Sequence, residues 1–145
     1  MATERRAHTT WEGDLMSGTG TVTLGSGATG PQQVSWRART EQPGGNTSPE
    51  ELIAAALSSC FSMAFSGALA RAGTPPTKLE TDAVTTFDQT DAGYRITKIA
   101  LTVRGQVEGA DEQAFKAEAE KAKDGCPVSQ ALKANVELSI DASLV

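Results

Sequence analysis

Cysteine and histidine are scarce in this 145-residue chain, with two of the first and one of the second. Cys60, Cys126 and His8 are too few and too scattered to supply a four-ligand zinc set, so no metal or other cofactor is expected. Basic residues are outnumbered, 13 Lys and Arg against 18 Asp and Glu, which leaves a net charge of −5. No basic patch is visible beyond Arg5–Arg6, and that argues against a nucleic-acid or anionic-membrane partner. The opening MATERRAHTTWEGD lacks the apolar core of a signal peptide. No apolar run is read as reaching the ~20 residues of a membrane span. The expected compartment is therefore the cytoplasm. In that reducing setting two cysteines suit catalysis or redox chemistry better than a permanent staple. Internal repeats and low-complexity segments are also lacking. A chain of this length can bury roughly 68–70% of its unfolded surface, so it needs no disulfide to fold. A hydrophobic share of 39% and a charged share of 21% fit one globular domain over residues 1–145.

What is present reads first as strands between glycines. HTTWEG and GTGTVTLGSG predict two strands, and QQVSWRART a third, in which Val34, Trp36 and Ala38 alternate with Ser35, Arg37 and Arg39. EQPGGNTS is a loop. A helix then starts with Ser48 as N-cap, Pro49 at the first position and Glu51 completing a capping box. It ends near Gly73, with Pro75 and Pro76 beyond. It is about 23 residues and roughly 35 Å long. From Leu52 to Leu69 it is apolar on nearly every face, which predicts burial on every face. One small chain can hardly wrap such a helix, so a homodimer is expected.

KLETDAVTTFD and YRITKIALTVRGQVEG, joined by QTDAG, predict a β-hairpin with Gly93 in its turn. Ile99, Leu101 and Val103 mark its buried face, Lys98, Thr102 and Arg104 its wet face. The run from Asp111 to Lys123 predicts an amphipathic helix, and NVELSIDASL a last strand alternating through Val136, Leu138 and Ile140. The class is α+β.

KAKDGCPVSQALKAN places the second cysteine between a glycine and a proline. Gly125 suits the left-handed residue that closes a helix, and Pro127 the first position of the next. Cys126 then stands at or beside an N-cap, facing unpaired N–H groups and the positive end of the dipole, both of which favour a thiolate. Cys60 sits mid-helix, with Ala56, Leu57, Met63 and Ala64 on its face. A lone mid-helix cysteine is commonly a small buried hydrophobe. Burial raises a thiol pKa, so Cys60 needs a nearby cation to react. Arg37 and Arg39 are the candidates, and Glu50 is free to orient one of them by a bidentate pair. Glu50 and Cys60 are ten positions apart, about 15 Å along one helix. If both serve one site, Glu and Arg are expected from the partner subunit. His8 lacks an orienting partner and reads as a surface residue.

These segments resemble the OsmC/Ohr family of organic hydroperoxide reductases, in its OsmC (osmotically inducible protein C) branch. The matching stretches are WEGD at 11–14, PEELIAAALSSCFSMA at 49–64, DAGYRITKIAL at 91–101 and KAKDGCPVSQALKA at 121–134. The resemblance implies a thiol peroxidase whose antiparallel β-sheets wrap long central buried helices in an intertwined homodimer, with sites at the subunit interface. It implies Cys60 as the peroxidatic cysteine, Cys126 as the resolving one, and Arg39 and Glu50 as their helpers. A Cys60 sulfenic acid and a Cys60–Cys126 disulfide would follow, reduced by a dithiol of lipoyl type. Leu57, Phe61, Met63 and Phe65 surround Cys60 in sequence and are expected to wall an apolar pocket favouring organic hydroperoxides. Two other readings remain: a cysteine hydrolase, which His8 supports poorly, and a non-enzymatic ligand-binding dimer with a redox-sensitive disulfide.

Overall fold

Glycines turn the N-terminal chain, and strands form between them. A computed structural model describes all 145 residues. Strands β1 (Ala7–Glu12), β2 (Thr19–Leu24) and β3 (Gln32–Val34) make an antiparallel sheet in the order β1-β2-β3. Trp11 lies opposite Gly20 in this ladder. A Cβ on Gly20 would stand 2.8 Å from the Trp11 ring and 2.7 Å from Val34, so only glycine leaves room there. This sheet belongs to a compact unit over Met1–Leu52, and Ile53–Val145 forms a second.

The predicted third strand is only half a strand. After Val34 the chain forms a short helix, α1 (Trp36–Thr40), capped by Ser35, whose Oγ accepts from the Ala38 N–H at 3.2 Å. The difference changes side-chain directions. Alternation in a strand puts Trp36 and Arg39 on opposite faces, whereas i,i+3 spacing in a helix puts them on the same one.

Helix α2 (Pro49–Arg71) carries the expected signals at both ends. Ser48 Oγ accepts from the Glu51 N–H at 3.2 Å. The capping box is only half formed, because the Glu51 carboxylate takes the Thr47 hydroxyl at 2.8 Å instead of reaching back to residue 48. At the other end Gly73 adopts φ +87. The Thr74 N–H reaches Leu69 O at 3.0 Å and the Gly73 N–H reaches Ala70 O at 3.1 Å, which is a Schellman closure.

One stripe of α2 is buried in this chain: Leu57, Phe61, Phe65 and Leu69. Met63 is 70% exposed, and Ala55, Ala56 and Ser59 are exposed as well. The expectation that no run reaches membrane-span length needs correcting. An 18-residue window of α2 has a mean hydropathy of 1.7, long and apolar enough to cross a membrane, with 22% of that window buried. Its small serines and alanines interrupt the apolar run without lowering its average much.

In the second unit β4 (Lys78–Thr90) and β5 (Gly93–Gln106) pair as a long hairpin around Asp91–Ala92, with Gly93 at φ +96. Strand β6 (Glu137–Leu144) joins β5 in parallel, so the second sheet is mixed rather than wholly antiparallel. A parallel neighbour requires a crossover, which α3 (Glu112–Gly125) and α4 (Pro127–Leu132) supply. Asp111 caps α3 by accepting from the Ala114 N–H at 3.0 Å. Gly125 is not the expected left-handed residue: it is the last residue of α3, and Cys126 follows with φ −68 and ψ 143.

Ile99, Leu101 and Val103 of β5 are buried as their alternation predicts. They form one core with the α2 stripe and with Phe115, Ala119, Ala122, Cys126, Val136 and Ala142. Each fully buried Leu, Val or Phe contributes roughly 1.5–3 kcal/mol relative to exposure. The aromatic contacts run Phe61–Phe65 at 5.4 Å and Phe65–Phe115 at 4.9 Å between ring centroids. A Cβ on Gly105 would lie 2.5 Å from the Phe115 ring. Gly105→Ala should therefore lower stability by about 1–3 kcal/mol through overpacking. Chemical denaturation of the variant beside wild type measures this, and an unchanged midpoint would count against the Phe115 contact.

Candidate active site

In the first unit α1 brings Arg39 to the carboxylate of Glu50 on the first turn of α2. Arg39 Nη2 donates to Glu50 Oε1 at 2.7 Å, and Arg39 Nε donates at 3.2 Å to each carboxylate oxygen. Glu50 is only 5% exposed, so its charge requires such a partner. Trp36 lies under the guanidinium with 5.5 Å between Cζ and the ring centroid, a cation–π contact. Arg37, the other candidate cation, points away and pairs with Glu41 at 3.1 Å on the exposed side of α1. A cavity of about 250 Å³ opens beside this pair, lined by Trp11, Leu15, Val34, Trp36, Pro49 and Arg39. It combines a mostly apolar wall with one cation.

In the second unit the two cysteines are near one another. Cys60 projects from the middle of α2 and is partly buried, while Cys126 is fully buried. Both are free thiols, and Cys126 is near enough to bear on the Cys60 pKa. Cys126 is at once the C-cap of α3 and the N-cap of α4. Its backbone N–H closes α3 on Ala122 O at 3.0 Å, and its Sγ accepts the Ser129 N–H at 3.4 Å. The Ser129 hydroxyl lies 3.0 Å from the same sulfur. Burial pushes the Cys60 thiol above its ordinary pKa, the adjacent Cys126 pushes the same way, and a hydrogen bond from the Val128 backbone pulls it back.

The other expected residues divide by exposure. Leu57, Phe61 and Phe65 are wholly enclosed in the core of the second unit, whereas Met63 stands on the exposed side of α2. His8 lies on the exposed strand β1, opposite Thr23. No cluster of three or more His, Cys, Asp or Glu side chains converges to hold a metal. Ser129 and Trp36 were not singled out from the sequence. The Ser129 signal was the three-residue step from Cys126, the spacing between an N-cap and the third helical residue. The Trp36 signal was its i,i+3 relation to Arg39, hidden while that segment read as a strand.

Two free thiols stand near one another on an α+β scaffold, one of them at the junction of two helices. The model of the OsmC-like protein family matches residues 42–141. The peroxiredoxin OsmC of Escherichia coli (strain K12) is 46% identical over 138 residues, covering 95% of this chain and 96% of that protein. An organic hydroperoxide resistance protein-like 2 of Staphylococcus epidermidis is 29% identical over 102 residues, covering 69% of this chain and 70% of that one. Among solved structures, an OsmC-like protein of Vibrio cholerae superposes with a TM-score of 0.76 at 20% identity, covering 97% of this chain and 99% of that one. The organic hydroperoxide resistance protein OhrB of Bacillus subtilis gives a TM-score of 0.73 at 20% identity, with coverages of 95% and 98%. The chain belongs to the OsmC-like family.

The influence of Cys126 on Cys60 has a measurable sign. Removing Cys126 removes an influence that raises the Cys60 pKa. In a Cys126→Ala variant, the pH midpoint for iodoacetamide alkylation of Cys60 should move down relative to wild type, because the thiolate is easier to form. Mass spectrometry of the peptide carrying Cys60 reads this directly. A midpoint that stays put would mean the two sulfurs do not interact.

Proposed function

We propose that this chain reduces organic hydroperoxides to alcohols through a Cys60 sulfenic acid and a Cys60–Cys126 disulfide, in cytoplasmic defence against oxidative stress. The broader statement stands by itself: with 46% identity to a named peroxiredoxin over 95% of its length, the protein is a peroxide-reducing enzyme. The observation that carries the finer reading is the Cys60 thiol set beside the Cys126 thiol.

The cycle runs as follows. The Cys60 thiolate attacks the O–O bond, becomes a sulfenic acid and releases the alcohol. Cys126 condenses with it to the disulfide and releases water. A dithiol, of lipoyl type by family resemblance, reopens the bridge by exchange. A half-buried sulfur raised above its ordinary pKa needs a positive charge to ionise, and Arg39 is our candidate. Glu50 fixes its guanidinium, as the three hydrogen bonds between them support. Since Glu50 and Cys60 are about 15 Å apart along one helix, we assign the charge at each thiol to Arg39 of the partner subunit in an intertwined homodimer. Support for a dimer comes from α2, which buries one stripe in a single chain and leaves an apolar remainder around Met63. Leu57, Phe61 and Phe65 give Cys60 a dry backing, and Met63 stands exposed three residues further along the helix. The largely apolar, aromatic cavity beside Arg39 favours a bulky alkyl or aryl group over hydrogen peroxide.

Steady-state turnover with dihydrolipoamide should be higher for cumene or tert-butyl hydroperoxide than for hydrogen peroxide. Equal or faster use of the small oxidant would defeat the substrate assignment. Cys60→Ser should abolish turnover, and Arg39→Ala should slow the first oxidation by on the order of 100-fold. One equivalent of organic peroxide should remove two hydrogens from the protein mass, mapped to the peptides of Cys60 and Cys126. A protein that binds the peroxide and keeps both thiols would instead be the ligand carrier. For assembly, Met63→Glu places a charge on the exposed apolar face of α2. It should shift the sedimentation coefficient from dimer towards monomer, and an unaffected dimer would put its interface elsewhere.

A further inference from the structure

We propose that Ser129 is a positioning residue for the resolving thiol, holding the Cys126 sulfur in the orientation from which it attacks oxidised Cys60. The inference rests on the sulfenic-acid cycle above.

Ser129 is fully buried, yet its hydroxyl has a partner: it lies 3.0 Å from Cys126 Sγ, and the Ser129 N–H reaches the same atom at 3.4 Å. A fully buried hydroxyl is costly unless hydrogen-bonded, and alanine fills nearly the same space at no such cost. Packing alone therefore does not call for a serine here. The serines of α2 are a useful contrast. Ser58, Ser59 and Ser62 each return their hydroxyl to a carbonyl of their own helix, as helical serines commonly do. Ser129 is also helical, yet its hydroxyl turns to a sulfur three residues back. The sulfur thus faces a hydroxyl and an amide from one residue, and both contacts restrict its rotation about the Cα–Cβ bond.

The step this serves balances as follows. The Cys126 S–H bond breaks, and its electron pair forms the S–S bond with Cys60. The Cys60 S–O bond breaks at the same time, and the oxygen leaves with that bonding pair. It takes up the proton lost by Cys126 and departs as water. Cys126 sulfur is oxidised and Cys60 sulfur is reduced from the sulfenic level. Between proton loss and bond formation Cys126 carries negative charge in a site closed to solvent. There the Ser129 O–H and N–H are the donors on hand. They stabilise that charge and keep the sulfur aimed.

The test separates the two oxidation steps in the full-length protein with a stoichiometric organic hydroperoxide. Rapid mixing reads Cys60 oxidation by dimedone trapping and disulfide formation by acid quench and mass. In Ser129→Ala the first step should keep its wild-type rate, while disulfide formation slows about 10- to 100-fold, the loss expected for one hydrogen bond to an ionised partner. Dimedone-trapped sulfenic acid should accumulate on Cys60. Ser129→Thr, which keeps the hydroxyl, should restore the second step. Wild-type resolution in Ser129→Ala overturns the proposal, and so does equal slowing of both steps, which would mark a general distortion. A threonine variant with native melting temperature that resolves as slowly as alanine overturns it too. If the extra methyl of threonine does not fit, the split between the two rates in Ser129→Ala decides alone. A wild type that consumes peroxide without bridging Cys60 to Cys126 overturns the underlying cycle, a result distinct from any of these.

Discussion

The proposed cycle depends on the nearness of Cys60 and Cys126, and the hydrophobic core of the second unit produces it. Cys60 rides on α2, whose buried stripe joins the same cluster as β5, α3 and Cys126. Any slip of α2 by one turn would carry the sulfur about 5.4 Å along the helix axis, enough to break the pairing. The Phe61–Phe65–Phe115 chain of rings resists that slip because each ring fills a shaped space in a close-packed interior. The thiol pair is thus a local chemical feature held by long-range packing. Residues far apart in sequence become neighbours because apolar faces on separate elements bury one another.

A second constraint operates within the first unit. Glu50 is buried on the opening turn of α2, where a carboxylate complements the helix dipole but still loses hydration. Arg39 supplies the missing partner, and the small helix α1 is what aims it. Trp36 below and Glu50 beside the guanidinium restrict its rotation, so a flexible side chain becomes a directed charge. The helix N-terminus, the buried acid and the arginine form one arrangement, and changing α1 back into a strand would dissolve it.

Much of this was legible in the residues, in proportion to how strongly a single physical signal dominated. Ser48, Pro49 and Gly73 bracket α2 because capping and left-handed closure have few alternative residues. The β5 alternation through Ile99, Leu101 and Val103 reads directly as a buried face. The family resemblance pointed to Arg39, and the geometry pairs it with Glu50. What escaped depended on competition between close choices. Five residues of α1 are too few for a helical period to stand out from an alternating one. Gly125 looked like a terminator, yet a residue in open space can end a helix in ordinary geometry when the next residue supplies the cap. The parallel pairing of β6 with β5 is a tertiary choice that alternation does not encode. Ser129 was hidden because burial, not type, gives a serine its meaning.

The difference in exposure between the two sulfurs bears on the order of events in the proposed cycle. Cys126 has no exposed surface, so a peroxide in solution cannot reach it without local opening. Cys60 is only partly covered and can meet a substrate directly. In the proposed cycle the first oxidation therefore falls on Cys60, and Cys126 is oxidised by what Cys60 has become. In that cycle the asymmetry would shield Cys126 from over-oxidation, since sulfenic and higher acids form where thiolate and peroxide meet. It would also place opposite demands on the two residues. Cys60 would tolerate a wet edge and borrow a positive charge to ionise, while Cys126 would stay dry, its sulfur held by Ser129 of its own helix.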